Sequence, residues 1–141
     1  MKISMASDHG GLSLKQQIAD YLTKLGHEVR DFGTYTNESC DYPDFARPAA
    51  EAVSSGNCDR CIVVCTTGVG VSMVANKVKG IRCALCTNAD MAKMTRSHNN
   101  ANALALGQKY VSFELAKEIV DNFINTPFEG GRHALRVDKI E

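Results

Sequence analysis

The feature that most constrains this chain is an alternation. Short apolar runs that read as strands are followed by segments of helical periodicity, at intervals of about 25 to 30 residues. Lys2–Ser7 is the first such run. Leu12, Leu14, Ile18, Leu22 and Leu25 then recur at helical spacing, and Gly26 stops that helix. Residues 27–32 predict a short second strand, and the polar stretch 33–42 a loop. Tyr42-Pro43 opens a segment with Phe45, Ala49, Ala52 and Val53 on one face. Pro48 falls inside it and predicts a late start or a kink. Arg60–Cys65 is the most apolar strand. A glycine-bearing turn over 66–70 and a short helix over 71–78 follow. Residues 81–86 predict a fourth strand, 89–97 a helix and 101–106 a fifth strand. Leu115, Ile119, Phe123 and Ile124 mark a last long helix, ended by Pro127. A repeat of this kind builds a parallel sheet with helices on both faces, an α/β fold in three αβα layers. No linker, internal repeat or low-complexity stretch divides residues 1–141, which read as a single domain.

Composition excludes several classes. At 141 residues, folding removes roughly 68% of the accessible surface from water, enough for a real core without a metal or disulfide staple. Lys plus Arg is 16 and Asp plus Glu is 16, aromatics are 6% and Trp is absent, a poor profile for a nucleic-acid binder. No apolar run approaches the ~20 residues of a membrane span. The N-terminus turns polar at Ser7, too early for a secretory signal. A soluble cytoplasmic protein is the expectation.

Six cysteines stand at 40, 58, 61, 65, 83 and 86. Two Cys-x-x-Cys pairs, Cys58/Cys61 and Cys83/Cys86, invite a zinc reading. The second pair lies in a strand-like run, where residues three apart point to opposite faces and cannot share one tetrahedron. Most of these thiols read as small buried hydrophobes in a reducing compartment, and no metal is expected.

Open α/β sheets bind ligands beyond the carboxyl ends of their strands. Here those ends carry Asp8-His9-Gly10-Gly11, Cys65-Thr66-Thr67-Gly68-Val69-Gly70, Thr87-Asn88 and Gly107-Gln108-Lys109. Cys65 stands just before a helix N-terminus, where backbone N–H groups favour a thiolate and a neighbouring anion. A Cys-x5-Arg phosphatase loop fails, because Val71 stands where the Arg belongs. A G-x-G-x-x-G dinucleotide loop fails at Met73, and a receiver domain lacks its Asp. What survives is an anion-stabilising turn beside a thiol, suited to proton abstraction next to a carbonyl.

Asp8 and His9, the imidazole of His98, and Arg132 with Arg136 at i, i+4 fit a sugar phosphate. Each has a plainer alternative. Asp8 can be a helix cap, His98 a complement to a helix C-terminus, and the arginines a solvated face. His27 and His133 read as surface histidines.

In order, the chain carries Ser7-Asp8-His9-Gly10-Gly11, Asp41-Tyr42-Pro43, Cys65-Thr66-Thr67-Gly68-Val69-Gly70-Val71-Ser72, Asn76-Lys77, Gly80-Ile81-Arg82, His98-Asn99-x-x-Asn102 and Gly130-Gly131-Arg132-His133-x-x-Arg136-Val137. In these motifs it resembles the type B ribose 5-phosphate isomerases, a family that also holds the galactose 6-phosphate isomerase subunits. The resemblance spans essentially the whole chain. It implies a Rossmann-like sheet of order 2-1-3-5-4 and a metal-free, cofactor-free aldose–ketose isomerase working through a cis-enediolate. It also implies a homodimer or dimer of dimers with an active site shared between subunits.

Carried over by position, Cys65 is the base, and Thr67 with the amides of Thr66, Gly68, Val69 and Gly70 handles the oxygens. Asp8 and a partner-chain His98 assist ring opening, Asn99 binds the sugar, and Tyr42 lines the pocket beside Ser72. His9, Arg132 and Arg136 hold the phosphate, the last two in a C-terminal tail of about residues 128–141. Val69 stands where another branch uses a Glu base, which points to the thiol-dependent branch. Two departures are Thr66 in place of a usual glycine and Lys109 in place of a usual arginine. Ribose 5-phosphate is the expected substrate. The alternatives are a six-carbon allose or galactose 6-phosphate, a non-catalytic sugar-phosphate-binding subunit, or a nucleotide or flavin module.

Overall fold

A computed structural model describes all residues Met1–Glu141. Five parallel strands, β1 (Lys2–Ser7), β2 (Glu28–Asp31), β3 (Arg60–Cys65), β4 (Cys83–Leu85) and β5 (Ala103–Gly107), form one sheet of order β2-β1-β3-β5-β4. This is the order the resemblance implied. The helices are α1 (Leu12–Lys24), α2 (Pro43–Ser54), α3 (Val69–Asn76), α4 (Ala89–Asn99), α5 (Phe113–Asn125) and α6 (Arg132–Val137), with a 3-10 turn over His9–Gly11. No helix is long and apolar enough to cross a membrane.

Strand alternation sorts the core into two halves. Ile3, Met5, Ile62, Val64, Leu104 and Leu106 face α1, α4 and α5. Ala6, Cys61, Val63, Cys65, Ala103 and Ala105 face α2 and α3. The α2 side is built from small residues, since Ala46, Ala49 and Ala50 are buried against the sheet. Cys86 belongs to the first half and Cys83 packs on the second, so that pair does lie on opposite faces. All six cysteines are free.

Several local expectations shift. Helix α2 starts at Pro43 and runs through Pro48, which removes only the donor that would have bonded Asp44. Helix α3 begins at Val69 rather than 71, because Gly68 takes a left-handed φ of 79° and turns the chain directly into it. Strand β4 shrinks to three residues. Helix α4 continues to Asn99, with Asn100 as a left-handed cap, so His98 is a helical residue rather than part of a following loop.

Polar clips outside the sheet explain several motif residues. Asn76 donates its side-chain amide to Cys83 O at 2.9 Å and accepts from Cys83 N at 2.8 Å. Asn102 does the same between Gly80 O and Arg82 N. Arg82 in turn donates to the carbonyls of Asn99 and Asn100. The buried Lys15 donates to Asp31 at 2.7 Å and to Thr34 O at 2.6 Å, pinning the start of the 33–42 loop. Buried donors need partners, and these residue types supply them where strand ladders stop.

Candidate active site

Register places Cys65 opposite Gly107 at the carboxyl ends of β3 and β5. The turn after β5 closes onto this end. Gln108 N donates to Cys65 O at 2.9 Å, and Lys109 N to Thr66 O at 3.0 Å. Cys65 is 5% exposed, at the top of the α2/α3 half of the core. Its sulfur accepts a hydrogen bond from Gly68 N at 3.1 Å. Thr67 Oγ1 accepts from Val69 N at 3.2 Å, and the Ser72 hydroxyl donates to Val69 O at 2.7 Å. The N–H groups of Gly70 and Val71 stand free in the first turn of α3. A thiol beside unpaired N–H groups at a helix head is an electropositive setting for a thiolate and for a developing oxyanion.

Four of the other thiols lack this setting. Burial pushes Cys61 up to about 12 and Cys86 up to about 11, and raises Cys58 and Cys83 as well. They behave as the small apolar residues expected of them.

Around Cys65 the neighbouring strand end supplies Asp8 and His9. Asp8 caps the 3-10 turn, accepting from Gly11 N at 3.1 Å, and is buried. His9 Nδ1 accepts from Cys40 N at 3.3 Å, which leaves the proton of a neutral ring on Nε2, free to donate. Tyr42 lays its ring against Gly70, where a Cβ would come within 2.6 Å of it. Thr66 is exposed and its hydroxyl sits over Gly10. Lys109 is exposed at the same edge.

His98, Asn99, Arg132 and Arg136 are elsewhere. Helix α4 runs antiparallel to the strands, so its last turn lies at the amino edge of the sheet, just before Asn102 accepts from Cys61 N. Four strand steps from Ala103 to Gly107, at ~3.3 Å each, separate the two edges by at least about 13 Å. Helix α6 packs on α4 there and carries both arginines, exposed and one turn apart. One chain therefore holds the residues expected at the site in two groups on opposite edges of the sheet.

The sequence reading missed residues at both. Cys40 orients His9. His133 is not a plain surface histidine: its ring stacks on His98 with centroids 4.1 Å apart, and both imidazoles approach Glu129. Desolvation, with the neighbouring His98 second, holds its pKa below the usual histidine value. The i, i+4 spacing of Glu129 and His133 was legible, but nothing local links either to His98.

The chain folds a thiol-headed turn and an arginine-bearing tail into the frame the motifs implied, and residues 3–140 match the family described as Ribose/Galactose Isomerase. The chain belongs to the ribose/galactose isomerase family. Among relatives in that family, ribose-5-phosphate isomerase B of Escherichia coli is 45% identical over 139 residues, covering 99% of this chain and 93% of its own. The solved ribose-5-phosphate isomerase B of Clostridium thermocellum superimposes with a TM-score of 0.98 at 61% identity, covering 99% of this chain and 95% of that one. The enzyme from Mycoplasma genitalium, solved with bound ribulose-5-phosphate, does so at 0.94 and 44% identity, covering 99% and 93%.

Proposed function

We propose that this protein interconverts ribose 5-phosphate and ribulose 5-phosphate, with Cys65 as the base. The observation that carries the reading is the Cys65 sulfur held against Gly68 N–H, beside the unpaired N–H groups at the head of α3. Relatives named for this reaction, and one structure holding its product, support the substrate.

The chemistry follows from the groups present. The Cys65 thiolate takes the proton from C2 of the open-chain aldose, and the electron pair forms the C1–C2 double bond as O1 gains charge. The N–H groups of the α3 head stabilise that charge. The O2 proton then moves to O1, the thiol returns its proton to C1, and a carbonyl forms at C2. A positioned base supplies roughly 10²–10⁴-fold and each preorganised donor roughly 10²–10³-fold, so both are needed. Asp8 and His98 assist ring opening. His9, Arg132 and Arg136 hold the phosphate, with Lys109 as a further cation. Tyr42, Ser72 and Asn99 shape the sugar site.

The two half-sites meet only if a second copy brings its amino edge to the carboxyl edge of the first. Exposed apolar residues on α3, α4 and α6 support such a homodimer: Met73 is 62% exposed and Leu135 69%, with Met91 and Met94 also exposed. Turnover of five- and six-carbon sugar phosphates by the purified protein decides the substrate. Cys65→Ala abolishes exchange of the C2 proton while ribose 5-phosphate still binds; undiminished turnover in that variant overturns the base. Chelation by EDTA leaves turnover intact.

A further inference from the structure

The cluster at the amino edge has donor chemistry of its own. His98 Nε2 lies 3.5 Å and His133 Nε2 3.3 Å from the same atom, Oε2 of Glu129. The three donor atoms fall within 4.8 Å of one another. Two imidazoles and a carboxylate are a familiar zinc donor set, and bonds of ~2.0–2.1 Å put the corners of a tetrahedron roughly 3.3–3.4 Å apart. Both imidazole–carboxylate edges already have about that length. Only the edge between the two imidazoles has to close.

Its closure is mechanically easy. The rings lie within 9° of parallel, so their lone pairs run side by side and do not yet meet. Turning one ring about χ2, a soft torsion in histidine, makes them converge. The His98 side chain is 34% exposed and that of Glu129 58%, which leaves both room to move. The backbone keeps the three together meanwhile. Glu129 N donates to Ser97 O at 3.0 Å, fixing the carboxylate beside α4, and His133 N donates to Gly130 O at 3.1 Å.

We propose that His98, Glu129 and His133 form a three-ligand site for a divalent ion of the zinc class, its fourth position open to water, and that filling it stops the isomerase by occupying His98 Nε2. The binding half stands independently of the isomerase reading; the inhibitory half rests on it. An imidazole whose lone pair is on a metal can no longer accept or deliver a proton at that nitrogen.

Cobalt(II) titrated into the full chain tests this. Nitrogen and oxygen ligation gives visible d–d absorption without the near-ultraviolet sulfur-to-cobalt band that a thiolate adds. The expected result is one cobalt per chain, displaced by zinc, with no sulfur band. Glu129→Gln and His133→Asn, each checked for folding by circular dichroism, weaken binding at least tenfold, and Cys40→Ser leaves it unchanged. A sulfur band as the main signal, no saturable binding, or both variants binding as tightly as the parent overturns the site. In the same samples zinc lowers ribose 5-phosphate turnover and EDTA restores it. A filled site with unchanged turnover overturns the inhibitory half. A protein that binds cobalt as described but never turns over a sugar phosphate defeats the isomerase reading and leaves the metal site standing.

Discussion

Gly68 donates its backbone N–H to the sulfur of Cys65 across 3.1 Å. The same glycine, at φ 79°, is the left-handed turn that starts α3. Thiol and helix head are thus one rigid unit. A Cβ at this position would also come within 2.9 Å of the Leu106 carbonyl carbon. Gly68→Ala therefore strains the backbone by roughly 1–3 kcal/mol and displaces the sulfur. Its kcat falls by about 10²-fold or more, while phosphate affinity changes little. Comparing kcat with the dissociation constant for ribose 5-phosphate checks this; equal losses in both would contradict it.

Thr66 is the residue that distinguishes this turn, and its hydroxyl occupies the space above Gly10. Gly10→Ala forces that hydroxyl aside and lowers kcat/KM by about tenfold, within the range of contact couplings. In a Thr66→Gly background the added methyl meets no hydroxyl, and the loss shrinks. A double-mutant cycle on kcat/KM reads the coupling directly, and strict additivity would refute the contact.

The proposed site shared between two copies predicts complementation. Cys65→Ala and His98→Asn homodimers are each inactive. After mixing and subunit exchange, half of the dimers are hybrids, and each hybrid restores one intact site of two. Activity recovers to about a quarter of the parent value. Met73→Glu, placed on the exposed apolar face of α3, yields monomers by analytical ultracentrifugation and loses turnover. An active monomer would refute the shared site.

The buried thiols set an alkaline limit. Burial holds the Cys61 proton up to about 12, against an ordinary value near 9. Above pH 9 the unfolded chain has released that proton and the folded chain retains it, so the unfolded state binds fewer protons and stability falls as pH rises. Below pH 9 both states are protonated and this contribution is flat. The slope approaches ~1.4 kcal/mol per pH unit for this thiol, and Cys58, Cys83 and Cys86 shift in the same direction. Urea midpoints between about pH 9 and 11 should fall, less steeply in Cys61→Ala.

Much of the architecture was legible in one dimension, because strand and helix periodicities are local. The runs Lys2–Ser7 and Arg60–Cys65 match their strands residue for residue. Boundaries slipped where a single dihedral or a cap decided them. Gly68 moved the start of α3 two residues earlier, and Asn100 carried α4 past His98. Pro48 looked disruptive, yet it costs the helix only one donor.

The thiol-headed turn could be read from its residues alone, since Cys65 and Gly68 lie three apart and a strand followed by a helix places them. The strand order came only through the family motifs, since periodicity does not set it, while the separation of Cys65 from His98 by the length of the sheet and the stacking of His98 on His133 about Glu129 required the folded chain. Those relationships join segments dozens of residues apart, and only packing of α4 and α6 at one edge of the sheet brings them together or holds them apart.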